Sequence, residues 1–157
     1  MYIGFWKRFG AYLIDYLILS AGTVVFLIVW VVIAGQLDEK LSEMSINEDT
    51  KSNIIGGVGV VLLLSISWLY YAIFESSKFR ATIGKMAIGV IVVDRNSERI
   101  SFARASLRYW CKIISIIPLF FGYIMAGFTP KKQALHDMIS NTYVVSKENI
   151  RFGKESR

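Results

Sequence analysis

Residues 9–34 read FGAYLIDYLILSAGTVVFLIVWVVIA, and this stretch decides the fold. It carries one charge, Asp15, in 26 residues. A helix rising ~1.5 Å per residue needs about 20 apolar residues to cross a ~30 Å hydrocarbon core. A second block, residues 54–74, is as long as a span and carries no charge. The chain has 157 residues, 54% of them hydrophobic, and the apolar ones fall in blocks rather than in the periodic pattern of a soluble core. These features predict a multi-pass α-helical membrane protein.

Lys7 and Arg8 ahead of the first block, and Val32-Ile33-Ala34 at its end, faintly resemble a signal peptide. The apolar run is far longer than the usual 7–15 residues of such a segment, so a retained span is expected. A third block, residues 113–128, is short and is interrupted by Pro118, Gly122 and Gly127. Extended back to Leu107 it takes in Arg108 and Lys112, which can snorkel. It is either a hairpin that re-enters near Pro118 or a third span over 107–128. The expected domain is single, residues 1–146, followed by a basic polar tail, 147–157.

The net charge of +6 is placed by topology. Residues 1–8 carry +2, 35–53 carry −3, 75–106 carry +3 and 129–157 carry +3. Basic segments flank the apolar blocks, as the positive-inside rule requires, and they attract anionic headgroups rather than nucleic acid. The N-terminus and the tail are therefore expected on the cytoplasmic side of a cell membrane, with 35–53 as an outer loop. Trp6, Tyr12, Trp30, Trp68, Tyr70 and Tyr71 fit interfacial belts.

Between the second and third blocks, Ile88–Val93 (IGVIVV) is strand-like and Asp94-Arg95-Asn96-Ser97 has turn chemistry. A second strand-like run, Asn141–Ser146 (NTYVVS), is a candidate partner for the first. Ser101 can cap a helix starting near Phe102. That helix reads as interfacial, with Leu107, Tyr109, Trp110 and Ile113 toward lipid and Arg104, Arg108 and Lys112 toward headgroups.

Chemistry-bearing motifs are few. One cysteine, Cys111, and one histidine, His136, exclude an internal disulfide and a His/Cys zinc site within one chain. No cofactor is expected. Phe79–Met86 contains a Gly-Lys pair, but it lacks the first glycine and the Ser/Thr of a phosphate-binding loop. His136 and Asp137 are neighbours and point about 100° apart on a helix, so they make no dyad by proximity. An enzyme is not expected, because nucleophile, base and oxyanion donors cannot all be named. Gly56, Gly57 and Gly59 permit close helix packing inside the protomer, without GxxxG spacing.

The remaining candidates are the charges at the ends of the apolar blocks. An ionisable residue inside a transmembrane helix costs roughly 2.5–3.5 kcal/mol on insertion scales, so Asp15 needs a partner or a function. Arg8 lies two turns away on the same face, ~10 Å along the axis. Arg108 and Lys112 are further candidate cations for it.

Three separated motifs resemble the RDD family of membrane proteins, named for one arginine and two aspartates. They are Gly4-Phe5-Trp6-Lys7-Arg8 running into Ala11-Tyr12-Leu13-Ile14-Asp15; Thr82-Ile83-Gly84-Lys85 with Gly89, Val92-Val93-Asp94, Ser101-Phe102, Ala105 and Arg108; and Gln133-Ala134-Leu135-His136-Asp137 with Asn141-Thr142 and Val144-Val145. The resemblance implies that Arg8 and Asp15 stand for the arginine and first aspartate, and Asp137 for the second. Transport of unknown ligands, including cation/proton antiport, is what it implies about function. The expected site is thus Arg8, Asp15, Asp137 and Arg108, supported by His136, Gln133, Lys112 and Tyr12, near the cytoplasmic face of a bacterial cell membrane. Two uses are open. One is transport of a monovalent cation, a proton or a small ligand by a homo-oligomer. The other is a structural clamp in a scaffold that binds a membrane-protein partner or membrane lipids.

Overall fold

The computed structural model describes residues 2–116, Gly127, Thr129 and 132–148. Its elements are helix α1 (Phe5–Glu43), helix α2 (Glu48–Ser76), helix α3 (Ile83–Ala87), strand β1 (Val90–Val93), helix α4 (Phe102–Ile116), helix α5 (Leu135–Ile139) and strand β2 (Tyr143–Ser146). α1 and α2 are each long and apolar enough to cross a membrane. The choice between a hairpin and a third span near Pro118 lies outside the described residues.

The two long helices overrun their apolar blocks. α1 has 39 residues, roughly 58 Å at 1.5 Å each, and continues through Gly35–Glu43. The expected outer loop 35–53 is therefore mostly helix, and only Met44–Asn47 separates α1 from α2. Gln36, Leu37, Glu39, Lys40 and Leu41 are good helix formers, so nothing stops α1 at Ala34. It stops where Ser45 takes φ +58°. α2 restarts under an Asn47 cap, whose Oδ1 accepts the Thr50 amide at 2.8 Å.

The chain divides into two compact units, Met1–Tyr16 with Trp68–Arg157, and Leu17–Ser67. The second is the helical hairpin. There Lys51 is buried, donating to Ser42 Oγ at 2.8 Å and pairing with Glu48 at 2.7 Å. Gly59 sits against Trp30 so closely that a Cβ would come within 2.7 Å of its Nε1.

The first unit holds the candidate site. β1 and β2 pair antiparallel, Val90 opposite Ser146 and Val93 opposite Tyr143. Each is shorter than its strand-like run, because Gly89 (φ +71°) and Asn141 (φ +51°) turn the chain just before the strands. The Asp94–Ser97 turn is held by Asp94 Oδ1, which accepts the amides of Asn96 and Glu98 at 2.8 and 2.9 Å. At the N-terminus, Tyr2 bridges to Val145 and the Ile3 amide donates to Val144 O at 3.0 Å. Ile3, Ala72, Val90, Val92, Ile100, Ala105 and Val144 form the core, with Trp68 and Ile88 packed against it. This knot of distant segments fixes the first turns of α1 beside the end of α2 and the start of α4.

Candidate functional site

α1 turns Ala11 and Asp15 inward, one helical turn apart, and both are about 1% exposed. The Asp15 carboxylate meets three neutral donors. Oδ1 accepts the Tyr70 hydroxyl and the Gly84 amide, each at 2.8 Å, and Oδ2 accepts Thr82 Oγ1 at 2.5 Å. Gly84 is required by space. A Cβ there would come within 2.2 Å of the Ala11 carbonyl oxygen and 2.8 Å of Asp15 Cγ. The helix α3 thus docks backbone-first on α1, and the Thr-Ile-Gly run serves Asp15 rather than a phosphate.

Arg8 turns away from Asp15. Its Nε donates to Ile3 O at 3.0 Å, one Nη to Lys132 O at 2.6 Å, and the other Nη pairs with Asp137 Oδ2. Asp137, fully buried in α5, also takes Arg108 on Oδ1, from Nε at 2.8 Å and Nη2 at 2.6 Å. Its Oδ2 accepts the Ala134 amide at 3.2 Å, tying down the first turn of α5. Arg108 reaches Glu75 Oε2 at 2.7 Å with its remaining Nη, and Lys85 Nζ takes Glu75 Oε1 at 2.5 Å. Lys85, Glu75, Arg108, Asp137 and Arg8 therefore form a row of five charges alternating in sign.

Three expectations are corrected by this geometry. Asp15 is not a corner of the Arg8 set, because Arg8 finds a buried carboxylate and two carbonyls nearer its own end of the helix. Arg108 does not reach toward headgroups; it is 2% exposed, drawn inward by Glu75 and Asp137. Tyr12 is more than half exposed and stacks on Tyr16, outside the row. Of the other supporting residues, Gln133 braces the approach to α5 by donating to Thr142 O at 3.0 Å. Lys112 makes no ion pair with the row among the described residues and lies over the Tyr71 ring, 3.6 Å from its centroid. His136 Nε2 lies 3.4 Å from Asp137 Oδ1.

The row's electrostatics follow from burial. Desolvation pushes the Asp137 carboxyl up, but the guanidiniums of Arg108 and Arg8 outweigh it and hold it far below the usual carboxylate range. Burial pushes the His136 imidazole down to about 3 against the pull of Asp137, so it is neutral at pH 7. Burial likewise lowers Lys85, opposed by Glu75. Buried ions cost several kcal/mol each to desolvate, and only close pairing with full hydrogen bonding offsets that.

Sequence reasoning missed Glu75, Lys85, Thr82, Gly84 and Tyr70. Glu75 is the first charge after the uncharged block 54–74, and that position was the available signal. Thr82, Gly84 and Lys85 fall in the quoted Thr-Ile-Gly-Lys motif without a role of their own.

The comparisons agree with the motif reading. The chain is 36% identical over 147 residues to the uncharacterized protein YxaI of Bacillus subtilis (strain 168), covering 92% of this chain and 97% of that protein. It is 26% identical over 153 residues to the uncharacterized membrane protein YteJ of the same organism, covering 96% and 84%. No solved structure matches. The model of the RDD family matches residues 2–141, which include Arg8, Asp15, Glu75, Lys85, Arg108 and Asp137. With two helices able to span a bilayer, this chain belongs to the RDD family of membrane proteins.

Proposed function

We propose that the chain is a membrane scaffold or accessory protein, binding a membrane-protein partner or lipids, and that its buried charges are a structural clamp. One observation carries this reading. All six oxygens of Asp15, Glu75 and Asp137 are engaged by groups of the same chain. A cargo cation could bind Glu75 or Asp137 only by displacing a buried guanidinium or ammonium, which would then lose its charge partner at a cost of about 3–5 kcal/mol. The clamp joins α1, α2, α3, α4 and α5 through side chains far apart in sequence. The basic segments face the cytoplasm in this reading, as the positive-inside rule directs.

The test is a paired measurement on Asp15→Asn, in purified protein and in proteoliposomes. A clamp predicts lower folded yield and lower thermal stability, with Na⁺, K⁺ and H⁺ fluxes equal to those of empty vesicles for both proteins. Wild-type flux that Asp15→Asn abolishes at unchanged stability overturns it.

A second reading has its own support. Asp15 is held by two hydroxyls and an amide, with no cation among its bonded partners in the described residues. A carboxylate so held could exchange a proton for a monovalent cation. Two or three spans do not easily enclose an aqueous path, so this reading needs a homo-oligomer. Cross-linking in native membranes that traps only monomers argues against it.

A further inference from the structure

The two faces of the β1–β2 sheet are covered differently. Side chains alternate along a strand, so Val90, Val92 and Val144 point one way, into the main core. Ile91, Val93, Tyr143 and Val145 point the other way, where Ala81 packs with them. The Tyr2 ring lies against Tyr143, with centroids 5.7 Å apart. Beside these rings is a hollow of about 400 Å³, lined by Tyr2, Tyr143, Val93, Val145 and Ser97. A second hollow, of about 280 Å³, is lined by Asn96, Arg104 and Asn141. Asp94 and Arg95 line both hollows and form their common wall.

Charge tells which ligand fits. Asp94 is the one acid lining either hollow, and its oxygens are engaged within the chain. Oδ1 accepts the Asn96 and Glu98 amides at 2.8 and 2.9 Å, and Oδ2 lies 3.6 Å from Arg104. Arg95 donates to Asn141 Oδ1 at 2.7 Å, and no carboxylate pairs with it among the described residues. Arg80 brings a third guanidinium to the rim by donating to the Ser97 carbonyl at 2.9 Å. Three guanidiniums around one carboxylate leave two positive charges to be met. A carboxylate ligand brings one negative charge, whereas a phosphate monoester carries about −1.5 to −2 at pH 7 and matches the planar fork of arginine. The first hollow has the other half of the chemistry, since tyrosine rings beside valines suit a flat ring.

We propose that this outer face of the sheet is a binding site for a nucleoside monophosphate. The base stacks on Tyr2 and Tyr143 beside Val93 and Val145. The phosphate takes Arg95, with Arg104 and Asn96 from the second hollow. The sugar lies between them, along Ser97. Small ligands occupy pockets of about 300–1,000 Å³, and the first hollow alone is within that range. A ligand with two unlike ends accounts for two unlike hollows sharing a wall, which a bare ring or a free phosphate does not. The site uses no residue of the charge row, so nucleotide binding and ion flux fail independently.

The experiment is isothermal titration calorimetry of the full chain in nanodiscs. The probes are the 5′-monophosphates of adenosine, guanosine, cytidine and uridine, with adenosine, inorganic phosphate and phosphotyrosine beside them. At least one nucleotide binds with a submillimolar Kd that neither adenosine nor inorganic phosphate matches. Arg95→Gln weakens that nucleotide by about tenfold, the scale of one charge-assisted hydrogen bond. Tyr2→Ala weakens it by about fivefold or more, the scale of one stacked base. Both side chains are exposed, so an unchanged unfolding midpoint shows that the fold survives each change. Lys78→Gln, an exposed basic position outside both hollows, leaves the affinity unchanged. Absence of binding by all four nucleotides overturns the proposal without any variant. So does a Lys78→Gln loss as large as that of Arg95→Gln, which marks a diffuse basic surface. Inorganic phosphate that binds as tightly as the nucleotides would leave a bare anion site. Phosphotyrosine that binds more tightly would make the ligand a phosphorylated side chain, and either result withdraws the nucleotide.

Discussion

The first sixteen residues with residues 68–157, and the hairpin of residues 17–67, solve the membrane problem in different ways. The first unit buries charge. Asp15, Glu75, Arg108 and Asp137 are almost fully covered, and each is satisfied by a residue far away in sequence. The hairpin buries one charge, Lys51, among near neighbours in sequence, and keeps its apolar side chains outward, with Val24, Val25, Ile28, Val31, Val32, Val60 and Val61 exposed. Those faces are built for lipid. The difference teaches where specificity resides. Apolar surface facing lipid tolerates exchange among similar residues, whereas a saturated row of ions fixes which segments meet and in what geometry.

The sharpest way to break this contrast is Arg108→Met. It leaves Glu75 and Asp137 each short of a buried partner, and a loss of about 3–5 kcal/mol is expected in thermal or denaturant unfolding in detergent. A smaller loss for Lys112→Met, which breaks no ion pair, would locate the effect in the row. Next comes Gly84→Ala. The added Cβ collides with the Ala11 carbonyl and Asp15, and about 1–3 kcal/mol of overpacking is expected, with proteolysis of the 77–82 linker as a second readout. In the hairpin the comparable test is smaller. Gly59→Ala presses on Trp30 and costs about 1–2 kcal/mol. Gly56→Ala, which meets open space, leaves stability unchanged or raises it by up to about 1 kcal/mol through helix propensity. If both glycine changes in the hairpin were equally harmful, its outer faces would not be the tolerant surface described.

Acid acts on the first unit through α5. His136 titrates at about 3 in the folded chain, below its ordinary 6.5, so the unfolded chain binds its proton first. Stability from this group is present above about pH 6.5 and falls as pH drops toward 3. Asp137 is also depressed when folded, so its contribution is present above its unfolded value of 3.8 and is lost below it. Unfolding midpoints measured from pH 7 to 3 should fall continuously. His136→Gln should flatten the part of the curve above pH 4, where Asp137 is not yet titrating.

Much of the fold was legible in the chain. Uncharged blocks of span length gave the two long helices, and β-branched runs gave the two strands. Arg8, Asp15 and Arg108 were legible as candidates because charges in or beside apolar blocks are costly and so conspicuous, whereas Asp137 entered through the motif that resembles the RDD family. Their pairing was not legible. Asp15 finds donors 55, 67 and 69 residues away, and Arg8 finds Asp137 at a separation of 129. Periodicity places Arg104, Arg108 and Lys112 on one side of a helix, but it cannot tell which one meets a buried acid. The length of α1 was missed for a local reason, since polar residues that favour helix continue it beyond its apolar block.

The separation between Asp15 and its donors also has a consequence in time. At roughly 5–20 residues per second of synthesis, Tyr70, Thr82 and Gly84 leave the ribosome about 3–14 seconds after Asp15 does. During that interval the nascent first helix has none of the groups that later surround its carboxylate. The shell of donors around Asp15 is therefore completed only once α2 and the start of α3 have been made.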